Sequence, residues 1–163
     1  MGVRNCAEVG ENLQKIMSRL LANDNLVNLL YYSDKDPYSG APLTPEQKSN
    51  EVFENLIKIV PRVGPRDDSK SFIVITVMKG SLNSENSEFR NTQIRVEVFV
   101  PITQWIIKDT NLRPFAILGE VQKSLNNKTI NGLGKMQGGD YELSFLSEEM
   151  SCYAQYYNLV SYN

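Results

Sequence analysis

The chain has 163 residues, a formal net charge of −2 at pH 7 and no histidine. This length favours a single domain. The missing histidine excludes Ser-His and Cys-His nucleophile pairs and most catalytic zinc sites, and the scattered charges form no basic stripe for gripping nucleic acid. We therefore predict a protein that is not an enzyme and has no catalytic, cofactor or metal site.

Targeting signals are missing from the sequence pattern. No apolar run approaches the ~20 residues of a membrane span. Residues 1–10 carry Arg4 and Glu8 where a signal peptide would have an apolar core. We expect use in a reducing cytoplasm without a membrane partner. Cys6 and Cys152 are then free thiols, although two thiols could in principle pair.

The first 60 residues have helical character. Residues 11–22 predict an amphipathic helix, and Asp24 is expected to cap a second, shorter helix, so that the two form a lid across a sheet. The apolar side of the first helix comprises Leu13, Ile16, Met17, Leu20 and Leu21.

Residues 33–43 predict a loop. Asp34 and Asp36 have the spacing of two calcium ligands, but Tyr38 stands where a third oxygen ligand belongs and Pro45 where a glutamate belongs. The pattern favours a solvated turn. Residues 44–47 then predict a helix start with a threonine cap and a glutamine three residues on.

The middle of the chain predicts strands. Residues 56–60 fit either a last helical turn or a short strand, whereas residues 72–78 are continuously apolar, as in a strand covered on both faces. Residues 80–91 are almost wholly polar and too long for a tight hairpin, so we expect a loop that projects as an arm. Arg62, Arg66 and Lys70 with nearby aspartates favour a solvated loop, and a contact with an anion or a partner is the alternative.

Residues 93–100 alternate between apolar and other side chains, which predicts a strand with Ile94, Val96, Val98 and Val100 on the core face. A helix is predicted over residues 112–125, capped by Asn111 or Thr110 and closed by Asn126-Asn127. Its buried side is expected to hold Phe115, Leu118, Val121 and Leu125, with Ile117 at the margin.

The last third predicts two more strands. Residues 130–140 contain four glycines but lack the motif of a phosphate-binding loop, so they indicate a turn and glycine bulges that bend an edge strand. Residues 141–145 alternate as a strand, residues 147–149 form a charged turn, and residues 152–162 form a tyrosine-rich final strand.

These elements predict an α+β fold in one domain. The sheet is expected to be mostly antiparallel, with about four strands and helices packed on one side. Residues 1–60 would form the helical part, and residues 71–163 the sheet with its central helix.

The order of these elements resembles the tail-terminator and tail-completion (neck) proteins of tailed bacteriophages. In that group a strand leads to an arginine-containing helix, an I-x-G-x-G turn and a final tyrosine-ended strand. The Asp36-Pro37 loop and the segment at residues 43–48 also resemble neck proteins. The matching positions are Arg113, Ile130, Gly132, Gly134, Tyr157 and Tyr162.

The resemblance implies a structural virion protein, assembled in the host cytoplasm, that forms a ring, usually six-fold. It would sit at the capsid-proximal end of a tail, end tube or sheath growth and contact tube, sheath and neck or connector proteins. DNA would pass through without specific binding. A ring needs two different surfaces that fit each other. Our candidates for subunit contacts are Asn83, Glu85, Glu88, Phe89, Arg90, Phe99, Trp105, Tyr156 and Tyr157.

Two alternatives remain open at this level. A small enzyme could use carboxylates of Asp34, Asp36 and Glu46, although these lie in a loop rather than on rigid elements. An adaptor domain of the neck would instead bind one protein partner in a one-to-one complex.

Overall fold

The computed structural model describes residues 8–59, 69–82, 89–130 and 134–162. Its helices are α1 (Glu8–Leu21), α2 (Asp24–Tyr31), the short α3 (Pro45–Gln47) and α4 (Arg113–Leu125). The strands are β1 (Ile57–Lys58), β2 (Phe72–Leu82), β3 (Phe89–Pro101), β4 (Thr129–Ile130), β5 (Gly134–Leu146) and β6 (Met150–Tyr162). None of the described helices is long and apolar enough to cross a membrane.

The described strands form one curled, mixed sheet in the order β1-β2-β3-β6-β5-β4. Only β1 and β2 pair in parallel, and every other neighbouring pair is antiparallel. The α+β class is therefore confirmed, but the prediction of about four strands is wrong. The strand count was too low because β1 and β4 have only two residues each, which is too few to show a periodic pattern.

The core lies between the sheet and the helices. Ile94, Val96, Val98 and Val100 of β3 are all buried, as their alternation predicts. Helix α4 packs on β3 and β5, and α1 and α2 pack on α4. Burying each of these aliphatic side chains contributes about 1.5–3 kcal/mol.

Helix α4 differs from its predicted buried side at two positions: Ile117, expected at the margin, is fully buried, and Phe115, expected to be buried, is exposed. Ile117, Leu118, Val121 and Leu125 are buried, but Phe115 keeps 39% of its surface exposed. Phe115 lies in the first turn, where its ring contacts tyrosines of β5 and β6 instead of the aliphatic core.

The predicted loop at residues 80–91 is wrong at both of its ends, residues 80–82 and 89–91. Strand β2 continues to Leu82 and β3 begins at Phe89, with Leu82 opposite Arg90, so the two strands form a long hairpin. Backbone pairing does not require apolar side chains, which explains why a polar segment extends the ladder. Residues 83–88 lie outside the described part of the chain.

Two predicted helix caps are also wrong. Asn23, not Asp24, caps α2, because its side chain accepts from the amide of Leu26 at 3.1 Å. Neither Asn111 nor Thr110 caps α4; the amide of Arg113 donates to the carbonyl of Trp105 at 2.7 Å. The capping box of Thr44 is confirmed.

Candidate interaction surface

The second half of β5 leaves four large apolar side chains exposed to water. Tyr141, Leu143, Phe145 and Leu146 are 56%, 50%, 38% and 59% exposed. The alternation of residues 141–145 predicts a strand, which is confirmed, and its large side chains are exposed on both faces of the sheet. Monomeric proteins seldom leave contiguous apolar patches of this kind without using them.

The outer edge of this end of β5 has no partner among the described strands, because β4 is short. Strand β4 pairs only with Gly134 and Lys135 at the other end. The ladder between β5 and β6 then shifts register between Gly138 and Asp140, which confirms the predicted glycine bulge. Beyond it, no described strand pairs with the outer edge of Asp140–Leu146. Long open edges with apolar side chains are sites where another chain can pair.

An aromatic cluster supports this end of β5 on the helix side of the sheet. The ring of Phe115 lies 5.8 Å from that of Tyr141 and 5.1 Å from that of Tyr153. Trp105 lies 6.3 Å from Tyr153 and donates from Nε1 to Oγ of Ser151 at 2.9 Å. Rings at such separations attract each other, so the cluster holds the exposed strand in one orientation.

A groove of about 380 Å³ runs beside the cluster along α4. At one end, the carboxylate of Glu120 accepts from Lys123 at 2.9 Å and from Asn23 at 3.0 Å. The groove thus has an apolar wall and a charged end. Its lining comprises Tyr38, Asn111, Leu112, Phe115, Ala116, Gly119, Glu120 and Lys123.

The opposite face of the sheet is polar and aromatic. The rings of Phe72 and Phe99 stack at 4.6 Å, and the hydroxyl of Tyr156 donates to Glu142 at 2.8 Å. Arg95 and Glu97 form an ion pair at 3.1 Å. We call this surface the open face.

The predicted contact residues do not form one surface. Asn83, Glu85 and Glu88 lie outside the described residues, and Phe89 and Arg90 belong to β3, opposite Tyr162 and Ser161. Phe99 and Tyr156 lie on the open face, whereas Trp105 is half-buried on the helix side. Tyr157 is fully buried, with its hydroxyl donating to Gln155 at 2.8 Å, so it packs inside the subunit.

Sequence reasoning missed the exposed end of β5. The alternation of Tyr141, Leu143 and Phe145 predicts a strand, but alternation alone does not say whether anything covers either face of that strand. The sequence does contain a signal for exposure on this strand. Phe145 and Leu146 are adjacent, and successive side chains of a strand point to opposite faces, so each face of the sheet receives one of these two apolar side chains.

The sequence also did not reveal the structural role of Arg113. Its side chain is fully buried and donates to the carbonyls of Gln104, Leu29, Tyr32 and Asp34. Leu29 and Tyr32 lie at the carboxyl end of α2, where unpaired carbonyls favour a cation. Burial lowers the pKa of Arg113, but a guanidinium stays charged, so it joins α2, the following loop and α4.

Two of the three carboxylates considered for catalysis, Asp34 and Asp36, make hydrogen bonds within the loop. Asp34 accepts from the amide of Asp36 at 2.9 Å, and Asp36 accepts from the hydroxyl of Ser39 at 2.6 Å. The hydrogen bond from Ser39 lowers the pKa of Asp36. A general acid must carry a proton near neutral pH, so a lowered pKa favours the role of a charged hydrogen-bond acceptor for Asp36. In the described part of the chain, no group of three ligating side chains could hold a metal ion.

Cys152 gives a direct test of burial in the sheet. Its thiol is buried and donates to the carboxylate of Glu97 at 3.6 Å. Burial, as the larger cause, and the negative charge of Glu97 raise the pKa of the Cys152 thiol to about 12. At pH 8 only about one thiol in ten thousand would be ionised. We expect a Cys6→Ser variant to react with a thiol reagent at pH 8 only after denaturation. Stoichiometric labelling of the native protein within minutes would contradict this placement.

The features above define a class: an α+β protein with a mixed sheet, one layer of helices and an exposed apolar edge strand. The chain belongs to the YomW family, whose model matches residues 23–159, and it is phage-related. The match runs from the cap of α2 to near the end of β6 and leaves α1 outside. No curated protein matches the chain.

Proposed function

We propose that this chain is a structural protein of a phage particle. It forms a ring, with six copies as the expected number, at the capsid-proximal end of a tail. There it ends growth of the tube or sheath and joins the tail to the neck. The subunits assemble in the host cytoplasm and stay in the virion.

The observation that carries this proposal is the exposed end of β5. Tyr141, Leu143, Phe145 and Leu146 place apolar area in water beside a strand edge with which no described strand pairs, which is unfavourable for a lone subunit. A neighbouring subunit would remove this area from water. The phage-related family and the order of strand, helix, glycine-rich turn and tyrosine-rich strand support the same conclusion.

Charge supports a passive role toward DNA. A net charge of −2 gives little attraction to phosphates, so the ring would let DNA pass through its channel without specific binding. Contacts with tube, sheath and connector proteins would use the axial ends of the ring.

The proposed function uses no catalytic step. Asp34 and Asp36 act through loop hydrogen bonds, so their replacement by asparagine should leave particle assembly unchanged in a complementation assay. Loss of assembly by a folded double variant would favour the alternative of a carboxylate enzyme.

Deletion of the gene from a phage that carries it tests the role itself. We expect filled heads and separate tails of irregular length in electron micrographs, and restoration of joined particles when the intact gene is supplied in trans. Antibody labelling of restored particles should mark the capsid-proximal end of the tail. Normal particles after deletion would contradict the proposal. Tails of normal length that fail to join heads would instead favour a neck adaptor.

A further inference from the structure

The outer edge of β5 is accessible over residues 140–146. Each of these residues is exposed, and none of the described strands pairs with their outer side. The ladder between β5 and β6 is regular from Asp140 to Leu143, between two register shifts. This stretch is therefore a short, regular strand edge. Such an edge can bind an extended chain through main-chain hydrogen bonds.

One face of this stretch is apolar. Directly opposite residues of an antiparallel pair lie on the same face of a sheet. Leu143 lies opposite Tyr153 on the helix side, and there the ring of Tyr141 lies 5.8 Å from that of Phe115. Tyr141, Leu143 and Phe115 all remain exposed. A strand added at this edge would shield them from water if its own side chains on that face were apolar.

The other face of this stretch is acidic. Asp140 lies opposite Tyr156 on the open face, and Glu142 accepts from the hydroxyl of Tyr156 at 2.8 Å. Among the described residues, neither carboxylate forms an ion pair. A cation on an added strand would meet this negative charge. The charged side chains of residues 136–162 are all acidic: Asp140, Glu142, Glu148 and Glu149.

We infer that this edge binds an extended segment of a different protein, in which apolar residues alternate with lysine or arginine. The segment adds to the sheet as one more strand beside Asp140–Leu143. Its apolar side chains lie on the helix side against Tyr141 and Leu143, and its cations lie on the open face against Asp140 and Glu142. Successive side chains of a strand point to opposite faces, so a single strand fits both faces at once.

A second β5 strand is a poorer occupant of this edge. Two such edges side by side would bring Asp140 and Glu142 of one copy close to the same acids of the other. Like charges on adjoining strands are destabilising. The acids therefore act against pairing between identical edges and favour a strand that carries cations.

This inference goes beyond the proposed function, because it assigns part of β5 to a protein other than this chain. The added strand occupies Asp140–Leu143. Phe145 and Leu146 lie beyond the second register shift, so their exposed surface stays accessible to a neighbouring copy in the ring.

Peptide binding tests the contact. The probe is a short, end-blocked fluorescent peptide in which valine alternates with lysine, and fluorescence anisotropy measures its affinity. One control peptide has the same composition with the valines and lysines in two separate blocks, and a second has glutamate in place of lysine. We expect the alternating lysine peptide to bind at least about ten-fold more tightly than either control.

Charge reversal in the protein locates the binding site. Glu142→Lys should weaken binding of the lysine peptide about ten-fold and strengthen binding of the glutamate peptide. Glu11→Lys changes the charge equally at an exposed position of α1 and should leave both affinities nearly unchanged. Thermal unfolding of each variant shows whether its fold is kept.

Hydrogen exchange shows whether the peptide adds as a strand. Backbone amides that become hydrogen-bonded exchange more slowly with solvent. We expect the lysine peptide to slow exchange within Asp140–Leu143 and to leave the exchange of α1 unchanged.

Several results would overturn the inference: no binding of the lysine peptide, equal affinity for the alternating and block peptides, or binding without slower exchange in Asp140–Leu143. Slow exchange of these amides in self-associated protein without peptide would instead identify a second copy as the occupant. If the peptide binds as expected but deletion of the gene leaves particles normal, the contact stands and the proposed function fails. If deletion gives irregular tails and the peptide does not bind, the function stands and the contact fails.

Discussion

Replacing Arg113 with methionine is expected to lower the free energy of unfolding by about 3–5 kcal/mol. Methionine fills a similar volume but leaves the carbonyls of Gln104, Leu29, Tyr32 and Asp34 without their donor. Because these carbonyls lie in or beside the core, water replaces the lost donor poorly. Denaturant unfolding of the purified variant measures the change.

Two companion variants sharpen this measurement. Arg113→Lys keeps the charge but lacks the planar fork that reaches several carbonyls, so it should recover less than half of the loss. Arg19→Met removes an exposed arginine with one hydrogen bond, to the carbonyl of Ser124 at 3.3 Å, and should cost less than about 1 kcal/mol. Equal effects of Arg113→Met and Arg19→Met would refute the role assigned to Arg113.

Gly138→Ala is expected to lower the free energy of unfolding by about 3 kcal/mol. The φ angle of Gly138 is +153°, and a Cβ there would lie 2.3 Å from the carbonyl oxygen of Tyr156 and 2.9 Å from Cα of Tyr157. These neighbours are backbone atoms of the central strand β6 and cannot move aside without disturbing the ladder. Thermal or denaturant unfolding would show the loss.

Gly119→Ala provides the matched control. Gly119 lies inside α4, and a Cβ there meets nothing within 4 Å. Alanine should therefore raise stability by about 1 kcal/mol through its higher helix propensity. A Gly138→Ala variant at least as stable as the unsubstituted protein would contradict the close approach of β5 to β6 at Gly138.

The proposed contact surface shows how far sequence reasoning reached. The aromatic residues and the bent edge strand were visible in the sequence, and the glycine bulge was predicted. The chosen contact residues nevertheless scatter between the two faces of the sheet, and Tyr157 is inside the subunit. Which strand lies at an edge depends on the strand order, and no local pattern reveals that order.

The sequence by itself determined the elements with a strong local signal: the core face of β3, most of α4, the capping box of Thr44 and the α+β class. These follow from side-chain periodicity and turn chemistry within one short segment. The tertiary structure alone decided that β6 lies in the middle of the sheet, that Arg113 is buried, and that Phe115 and the end of β5 face water. Each of those outcomes depends on contacts between segments that are far apart in the chain. A strand is at an edge, or a cation is buried, only because of the segments that lie next to it.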